Sequence, residues 1–195
     1  MLGFSSEEGW ELLKSTFIVA LVFTIAERPK PDPLLVAIVF VITLVAAGTG
    51  FIFHEFMHRF LARRTGYVAH YRGGGFPYMS ILFAFAGWIL LSPGAVVIQS
   101  IGKPITRRAS GLISLAGPAT NFLLALAFAP LMLVGGLVGV VGAYGYDVNI
   151  WLAVFNMLPA PGFDGEKVWG WSKPVYFGFA AALVSVYLLF RFVLL

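Results

Sequence analysis

Residues 34–53, LLVAIVFVITLVAAGTGFIF, form one continuous apolar run without a charged side chain. A helix needs about 20 such residues to cross the hydrocarbon core of a bilayer, so this run predicts a membrane-spanning helix. The composition agrees, because 59% of the 195 residues are hydrophobic and only 11% are charged, too few to cover a water-facing surface. We therefore expect an integral membrane protein.

Other apolar segments predict how often the chain crosses the bilayer. They cover residues 12–26, 78–98, 111–134, 148–158 and 174–195. Segments 111–134 and 174–195 are long enough to span, whereas 12–26 and 148–158 are short and need flanking residues. The predicted fold is an α-helical polytopic membrane protein with about five transmembrane helices, and residues 1–195 are expected to form a single domain.

Segment 78–98 has two possible structures. It contains the turn-forming Ser92, Pro93 and Gly94 followed by the β-favouring AVVIQS, so residues 88–100, WILLSPGAVVIQS, are predicted to form a membrane-associated β-hairpin. Basic residues flank the segment on both sides: Arg59, Arg63, Arg64 and Arg72 before it, and Lys103, Arg107 and Arg108 after it. The positive-inside rule puts both groups in the cytosol, so the segment should enter the membrane and return. A sixth span is the alternative.

The charge distribution also predicts orientation and partners. With a re-entrant hairpin the N terminus is cytosolic, Arg59 marks the cytosolic edge of the span at 34–53, and the glycine-rich stretch 135–145 lies outside. The net charge of +4 comes from scattered Lys and Arg, which suits anchoring at lipid headgroups and argues against a nucleic-acid partner. The lipid bilayer is thus an expected partner.

Two histidines and a glutamate end the span at 34–53, in FHEFMHRF. Ionisable residues in spans are rare and usually functional. His54 and His58 are four residues apart, so on a helix they share one face and suit two ligands of one zinc ion. Glu55 lies beside them, where it can take a proton from an attacking water and deliver one to a leaving amine. These roles make H-E-x-x-H a metalloprotease signature.

A catalytic zinc needs a third protein ligand. The chain has no cysteine, so this ligand must be His, Asp or Glu. The position six residues after His58 is Arg64, which excludes the metzincin pattern, and no acidic residue lies between Glu55 and Asp147. The candidates are His70, Asp147, Asp164 and Glu166.

Topology and local sequence separate these candidates. Asp147 is expected at the outer face, roughly a membrane thickness from His54. His70, in the polar stretch YVAHYR, is expected at the interface, and Glu166 beside a lysine is expected to be solvated. Asp164 follows the helix-breaking segment 159–162, PAPG, whose non-helical backbone can line a polar cavity on the cytosolic side. Asp164 is therefore the predicted third ligand.

Three motifs together resemble the site-2 protease family of intramembrane zinc proteases. They are HEFMH on a span, LAGPATN at 115–121 at the start of another, and NMLPAPGFDG at 156–165 at the end of a third. They cover a core of about residues 34–165. The family's membrane-entering hairpin is similar to WILLSPGAVVIQS, and the chain resembles compact archaeal or bacterial members without PDZ or CBS domains.

The resemblance implies a role for each motif residue. His54, His58 and Asp164 would bind one Zn²⁺ per chain, and Glu55 would be the general acid/base. Asn121, in the G-P-x-x-N segment, would bind the substrate carbonyl or stabilise the oxyanion. The alternative for Asn121 is an amide hydrogen-bonded between helices.

Three further positions bear on this resemblance. Asn156 matches the family's asparagine before the proline and is expected to satisfy backbone groups where the helix breaks. Met57 and Glu166 stand where the family often has glycine, and either could alter substrate fit. Neither change removes an expected zinc ligand.

The predicted function is hydrolysis of peptide bonds within or near transmembrane segments of membrane-protein substrates. The enzyme would be a multi-pass protein of the cell membrane with its active site near the cytosolic side. The alternative is a membrane metal-ion binding protein or transporter, although a transporter needs ligands that continue across the bilayer. The oligomeric state and the identity of the substrate stay open.

Overall fold

The structure is a computed structural model that describes residues 4–74, 77–91, 93–100, 102 and 104–194, so Ser92 and Lys103 lie outside the described residues. Its helices are α1 (Ser6–Ala26), α2 (Pro33–Thr43), α3 (Thr49–Arg64), α4 (Pro77–Phe85), α5 (Arg107–Phe128), α6 (Gly136–Asn156), α7 (Asp164–Trp171) and α8 (Lys173–Leu189). Its strands are β1 (Val68–Gly73) and β2 (Gly94–Gln99). A π-helical turn, Leu44–Gly48, joins α2 to α3, a 3₁₀ turn, Ala129–Val134, follows α5, and a second π-helical turn, Phe190–Leu194, follows α8.

Hydrogen-bonding side chains mark where several of these helices begin. Ser5 and Glu8 form a reciprocal capping box at the start of α1. Asp32, Thr106 and Ser172 accept a bond from a first-turn backbone N–H of α2, α5 and α8, respectively. These caps set the start of α1, α2, α5 and α8 where the apolar interior sequence does not.

Five helical segments of the described chain are long and apolar enough to cross a membrane. They are Ser6–Ala26, Pro33–Arg64, Arg107–Val134, Gly136–Asn156 and Lys173–Phe192. The predicted polytopic helical fold is thereby confirmed. The alternative of a sixth span gains no support, because the described part of 78–98 forms mainly the short helix α4 and the strand β2.

The glycine-rich stretch 135–145 was expected to lie on the outer side, just before the short predicted span at 148–158. The stretch is helical from Gly136 onward. A Cβ at Gly142 would lie 2.7 Å from the Leu131 Cβ, and one at Gly145 would lie 2.4 Å from the Phe128 ring. These glycines therefore let α6 pack closely against the preceding segment. The short predicted span at 148–158 lies mostly within the longer apolar helix Gly136–Asn156.

The predicted antiparallel pair of strands after the motif helix is present, but its first strand differs from the prediction. β1 pairs with β2 in a register from Val68 opposite Gln99 to Gly73 opposite Gly94. The predicted partner WILL, the first part of the 88–100 hairpin, has no strand structure. The burial of VAHYRG alternates along the strand, as expected for a strand with one face against the protein. The Ser15 hydroxyl of α1 donates to Pro93 O at 2.8 Å and fixes the position of the residue before β2.

Arg59 is buried inside the protein rather than placed at a headgroup surface. Its side chain is 2% exposed, and its Nη1 and Nη2 donate to Glu8 Oε1 and Oε2 at 2.6 and 3.2 Å. The backbone N–H of Tyr71 also donates to Glu8 Oε1, at 3.0 Å. Glu8 therefore joins α1, α3 and β1, while the position of Arg59 at the cytosolic edge of the membrane stays a prediction.

Candidate metal centre

His54 and His58 of α3 meet Asp164, the first residue of α7, because α5 packs against both helices. The two Nε2 atoms lie 2.9 Å apart. Asp164 Oδ2 lies 3.3 Å from His54 Nε2 and 3.1 Å from His58 Nε2. Ligand atoms of a tetrahedral zinc site are about 3.3 Å apart, so these three donors have the spacing of three zinc ligands.

The hydrogen bonds of the two histidines test whether a metal fits. His54 donates from Nδ1–H to Asn121 Oδ1 at 2.6 Å, and His58 donates from Nδ1–H to Ile113 O at 2.7 Å. Each neutral ring then has its lone pair on Nε2. Two lone pairs and a carboxylate oxygen converge without a proton between them, an arrangement that a bound cation relieves. The donor set, two imidazoles and one carboxylate, suits zinc.

Asp164 is suited to act as an anionic ligand. Burial by itself raises the pKa of its carboxyl group, but when the adjacent His58 and His54 are protonated, their positive charge and hydrogen bonds outweigh burial and hold the pKa well below its usual range. Asp164 is the N-terminal residue of α7, where the helix dipole also favours a negative charge. The carboxylate is therefore ionised at neutral pH.

Glycines let the backbone come close to this centre. A Cβ at Gly117 of α5 would lie 2.4 Å from His58 Nε2 and 2.6 Å from His54 Nε2. A Cβ at Gly165 would lie 2.2 Å from the carbonyl oxygen of Met157, at the end of α6. The glycines of LAGPATN and of the D-G pair are therefore required by close packing.

Glu55 is buried beside the three donors and is fixed by the sheet. Its Oε2 accepts a bond from the backbone N–H of Val96, in β2, at 2.9 Å. A cavity of about 650 Å³ adjoins this carboxylate and the metal donors. Its lining also includes Val96, Ser114, Asn156, Phe163 and Lys167. The site therefore combines a metal-binding triad, a carboxylate and space for a ligand.

The other sequence candidates lie elsewhere. Within the described residues, His54, His58 and Asp164 are the one group of three or more His, Asp or Glu ligand atoms that come within 4.8 Å of one another. His70 is paired with Val97 in the sheet. The exposed Glu166 accepts a bond from Gly162 N at 3.2 Å.

Asn156 and Asn121 differ in how their amides are used. Asn156 donates from Nδ2 to Leu152 O, one turn back within α6, at 2.9 Å, so its expected role where the helix breaks stays a prediction. Asn121 is fully buried, and its Nδ2 donates to Gly50 O at 3.1 Å and to Asn149 Oδ1 at 3.0 Å. Its predicted contact with substrate stays a prediction.

Sequence reasoning missed Asn149, which is fully buried on α6. Its Nδ2 donates to Gly145 O at 2.8 Å and to Ala46 O at 3.4 Å, while its Oδ1 accepts from Asn121. The available signal was a polar amide within the apolar run VNIWLAV of a predicted span. Its connection to His54 depends on three helices and could not be read from the chain.

Comparison with known proteins adds one relative. The chain is 39% identical over 181 residues to a protein of Methanocaldococcus jannaschii named as a "putative zinc metalloprotease", a match that covers 89% of this chain and 88% of the relative. No family model matches the chain. No solved structure matches it either.

Proposed function

This chain belongs to the same zinc metalloprotease family as its Methanocaldococcus jannaschii relative, and on that premise we propose that it is an intramembrane endopeptidase of the site-2 protease type. The observation that carries the proposal is the grouping of His54, His58 and Asp164 beside the buried Glu55 at one cavity. The five apolar helical segments of the described chain support a membrane location for this chemistry.

The residues around the cavity have complementary roles in this proposal. His54, His58 and Asp164 would hold the zinc ion, which when bound supplies Lewis-acid activation of water and of a peptide carbonyl. Glu55, oriented by the Val96 N–H, would take a proton from the attacking water and return it to the leaving amine nitrogen. The low exposure of all four side chains limits access of bulk water to the reacting groups.

Within the described residues, β2 pairs with β1 alone, so its other edge suits an unwound substrate. Tyr71 and Val96 are register partners, yet their N–H groups bond to Glu8 and Glu55, so both point away from the opposite strand. Glu8 thereby covers the β1 edge, whereas the β2 edge faces Glu55. Because the Val96 N–H is bonded to Glu55, a substrate segment could add to β2 on either side of residue 96, which places its backbone carbonyls near the metal donors.

The proposed substrates are membrane proteins with a transmembrane segment. A helical segment hides its carbonyl oxygens in backbone hydrogen bonds, so it must unwind locally before cleavage. The proposed location is the cell membrane, with the active site near the cytosolic side and with lipids and the substrate as partners. No nucleic acid is expected to bind.

Co-expression with candidate single-span substrates tests the enzyme class. The wild type should release a shortened product that the Glu55→Gln variant does not release. Glu166→Gln is the matched control, because Glu166 is exposed and bonds to Gly162 rather than to the metal donors. Equal cleavage by wild type and Glu55→Gln would contradict the proposal.

A membrane ion carrier is the competing function. Transport of an ion would require metal ligands that continue from this site across the bilayer. The part of the chain that the structure describes contains a single cluster of three or more possible metal ligands, and Glu55 would have no evident role in ion transport. The protease proposal therefore has more support.

A further inference from the structure

We propose that Asn149 and Asn121 are positioning residues that hold His54 as its Nδ1–H tautomer through a chain of two buried amides, so that Asn121 acts through His54 rather than on the substrate. This inference rests on the proposed metal centre and adds Asn121 and Asn149 as two residues that orient one of its ligands. Both amides are fully buried, one on α6 and the other on α5.

The direction of the chain follows from its outer end. Asn149 donates from Nδ2 to the carbonyl oxygens of Gly145 and Ala46, and these oxygens can only accept. The amide of Asn149 therefore has one allowed orientation, with Oδ1 directed toward Asn121. That oxygen also can only accept, so it requires an N–H of Asn121.

The orientation of Asn121 is then determined. Its Nδ2 has two hydrogens, and these are donated to Asn149 Oδ1 and to Gly50 O. Its Oδ1 therefore faces His54 Nδ1, where it can only accept a proton. The proton of the neutral imidazole is placed on Nδ1, and the lone pair on Nε2 points to Asp164 and His58.

The surrounding backbone is shaped for this chain of amides. Ala46 lies in the π-helical turn Leu44–Gly48, a type of helix irregularity that is frequent near functional sites. Gly50 lets Asn149 approach closely, since a Cβ at Gly50 would lie 2.5 Å from Asn149 Oδ1. Both features favour contact between the amides and α3.

The same bonds argue against a direct role for Asn121 on substrate. Stabilising an oxyanion requires an N–H directed at the reacting oxygen. Both N–H groups of Asn121 have acceptors within the protein, at 3.0 and 3.1 Å. Asn121 therefore contributes through the geometry of His54.

Nitrogen NMR of ¹⁵N-histidine-labelled, metal-free protein in detergent tests the tautomer directly. The chain has three histidines, so few signals need assignment. We expect His54 to be protonated on Nδ1 in the wild type and to populate the Nε2–H tautomer in Asn121→Leu and Asn149→Leu. Retention of the Nδ1–H tautomer in both variants would overturn the proposal, and this readout needs neither zinc nor cleavage.

Zinc affinity, measured by competition with a chromophoric chelator, is the second readout. Loss of support for a metal-ligating histidine typically weakens binding by about 10- to 100-fold, so we expect this loss in Asn121→Leu and a smaller one in Asn149→Leu. Thr43→Val is the matched control, because Thr43 is fully buried and bonds to Ala20 O near the same π-helical turn without contacting the amides. An equal loss in Thr43→Val would refute a specific role.

Asn121→Asp separates the two roles of Asn121 and is also the variant to use if the leucine variants fail to fold. It keeps an acceptor opposite His54 Nδ1–H and removes both amide N–H groups. We expect its zinc affinity and its cleavage to stay nearer the wild type than those of Asn121→Leu. Retained zinc with cleavage abolished would instead assign Asn121 to the substrate oxyanion. Zinc binding without cleavage in the wild type would refute the protease but leave the amide proposal standing.

Discussion

Gly117 lies so close to His58 that a Cβ at residue 117 would be 2.4 Å from the His58 Nε2 atom. This distance is well inside van der Waals contact, and the two residues come from different helices, α5 and α3. The glycine of LAGPATN therefore forms one wall of the proposed metal centre. Its absence of a side chain is a requirement of the site.

Gly117→Ala is expected to damage the metal site while the helices remain folded. The added methyl group must displace one or both imidazoles, so zinc affinity should fall by at least about tenfold, or about 1.4 kcal/mol. Chelator competition on the purified protein measures this change. Gly178→Ala on α8 is the control, because a Cβ there meets nothing within 4 Å. Wild-type affinity in Gly117→Ala would show that the imidazoles can move away without cost.

Asp164→Asn is expected to lose zinc and cleavage together, since it removes the anionic donor 3.1–3.3 Å from both Nε2 atoms. Removing zinc from the wild type with a chelator should likewise abolish cleavage, and added Zn²⁺ should restore it. Zinc content by elemental analysis and product formation on a gel are the measurements. Glu166→Gln, two residues further on and exposed, should keep both properties.

Val96→Pro is expected to lower the cleavage rate without lowering zinc content. The Val96 N–H bonds to Glu55 rather than to β1, so proline there removes the orienting bond and leaves the strand pairing in place. General acid–base catalysis contributes about 10²- to 10⁴-fold, so a misoriented Glu55 should lose part of that factor. Val96→Ala keeps the N–H and should cleave normally. Unchanged cleavage in Val96→Pro would exclude the β2 backbone from the mechanism.

Glu8→Gln is expected to destabilise the fold, because it leaves the Arg59 guanidinium buried without its carboxylate partner. Breaking a buried ion pair in this way costs about 3 kcal/mol. Thermal unfolding in detergent should show a lower Tm than for Glu7→Gln, whose glutamate is exposed on the same turn of α1. Equal Tm values for the two variants would indicate that the pair contributes little.

The local sequence predicted the features that depend on short-range chemistry. Apolar runs predicted five spans, because about 20 apolar residues are needed to cross a bilayer whatever surrounds them. The spacing of His54 and His58 predicted a shared helix face. The absence of acidic residues between Glu55 and Asp147, together with the expected topology, directed attention to Asp164. The structure places Asp164 beside both histidines, although α7 is a separate helix.

Only the tertiary structure decided the features that depend on contacts between distant elements. The partner of β2, the burial of Arg59 against Glu8, and the link from Asn149 through Asn121 to His54 each join segments far apart in the chain. An asparagine or arginine in an apolar run signals that a polar partner is required, because an unpaired polar group is costly there. Which partner it finds is set by helix packing, and the same packing explains why Gly117 and Gly142 must lack side chains.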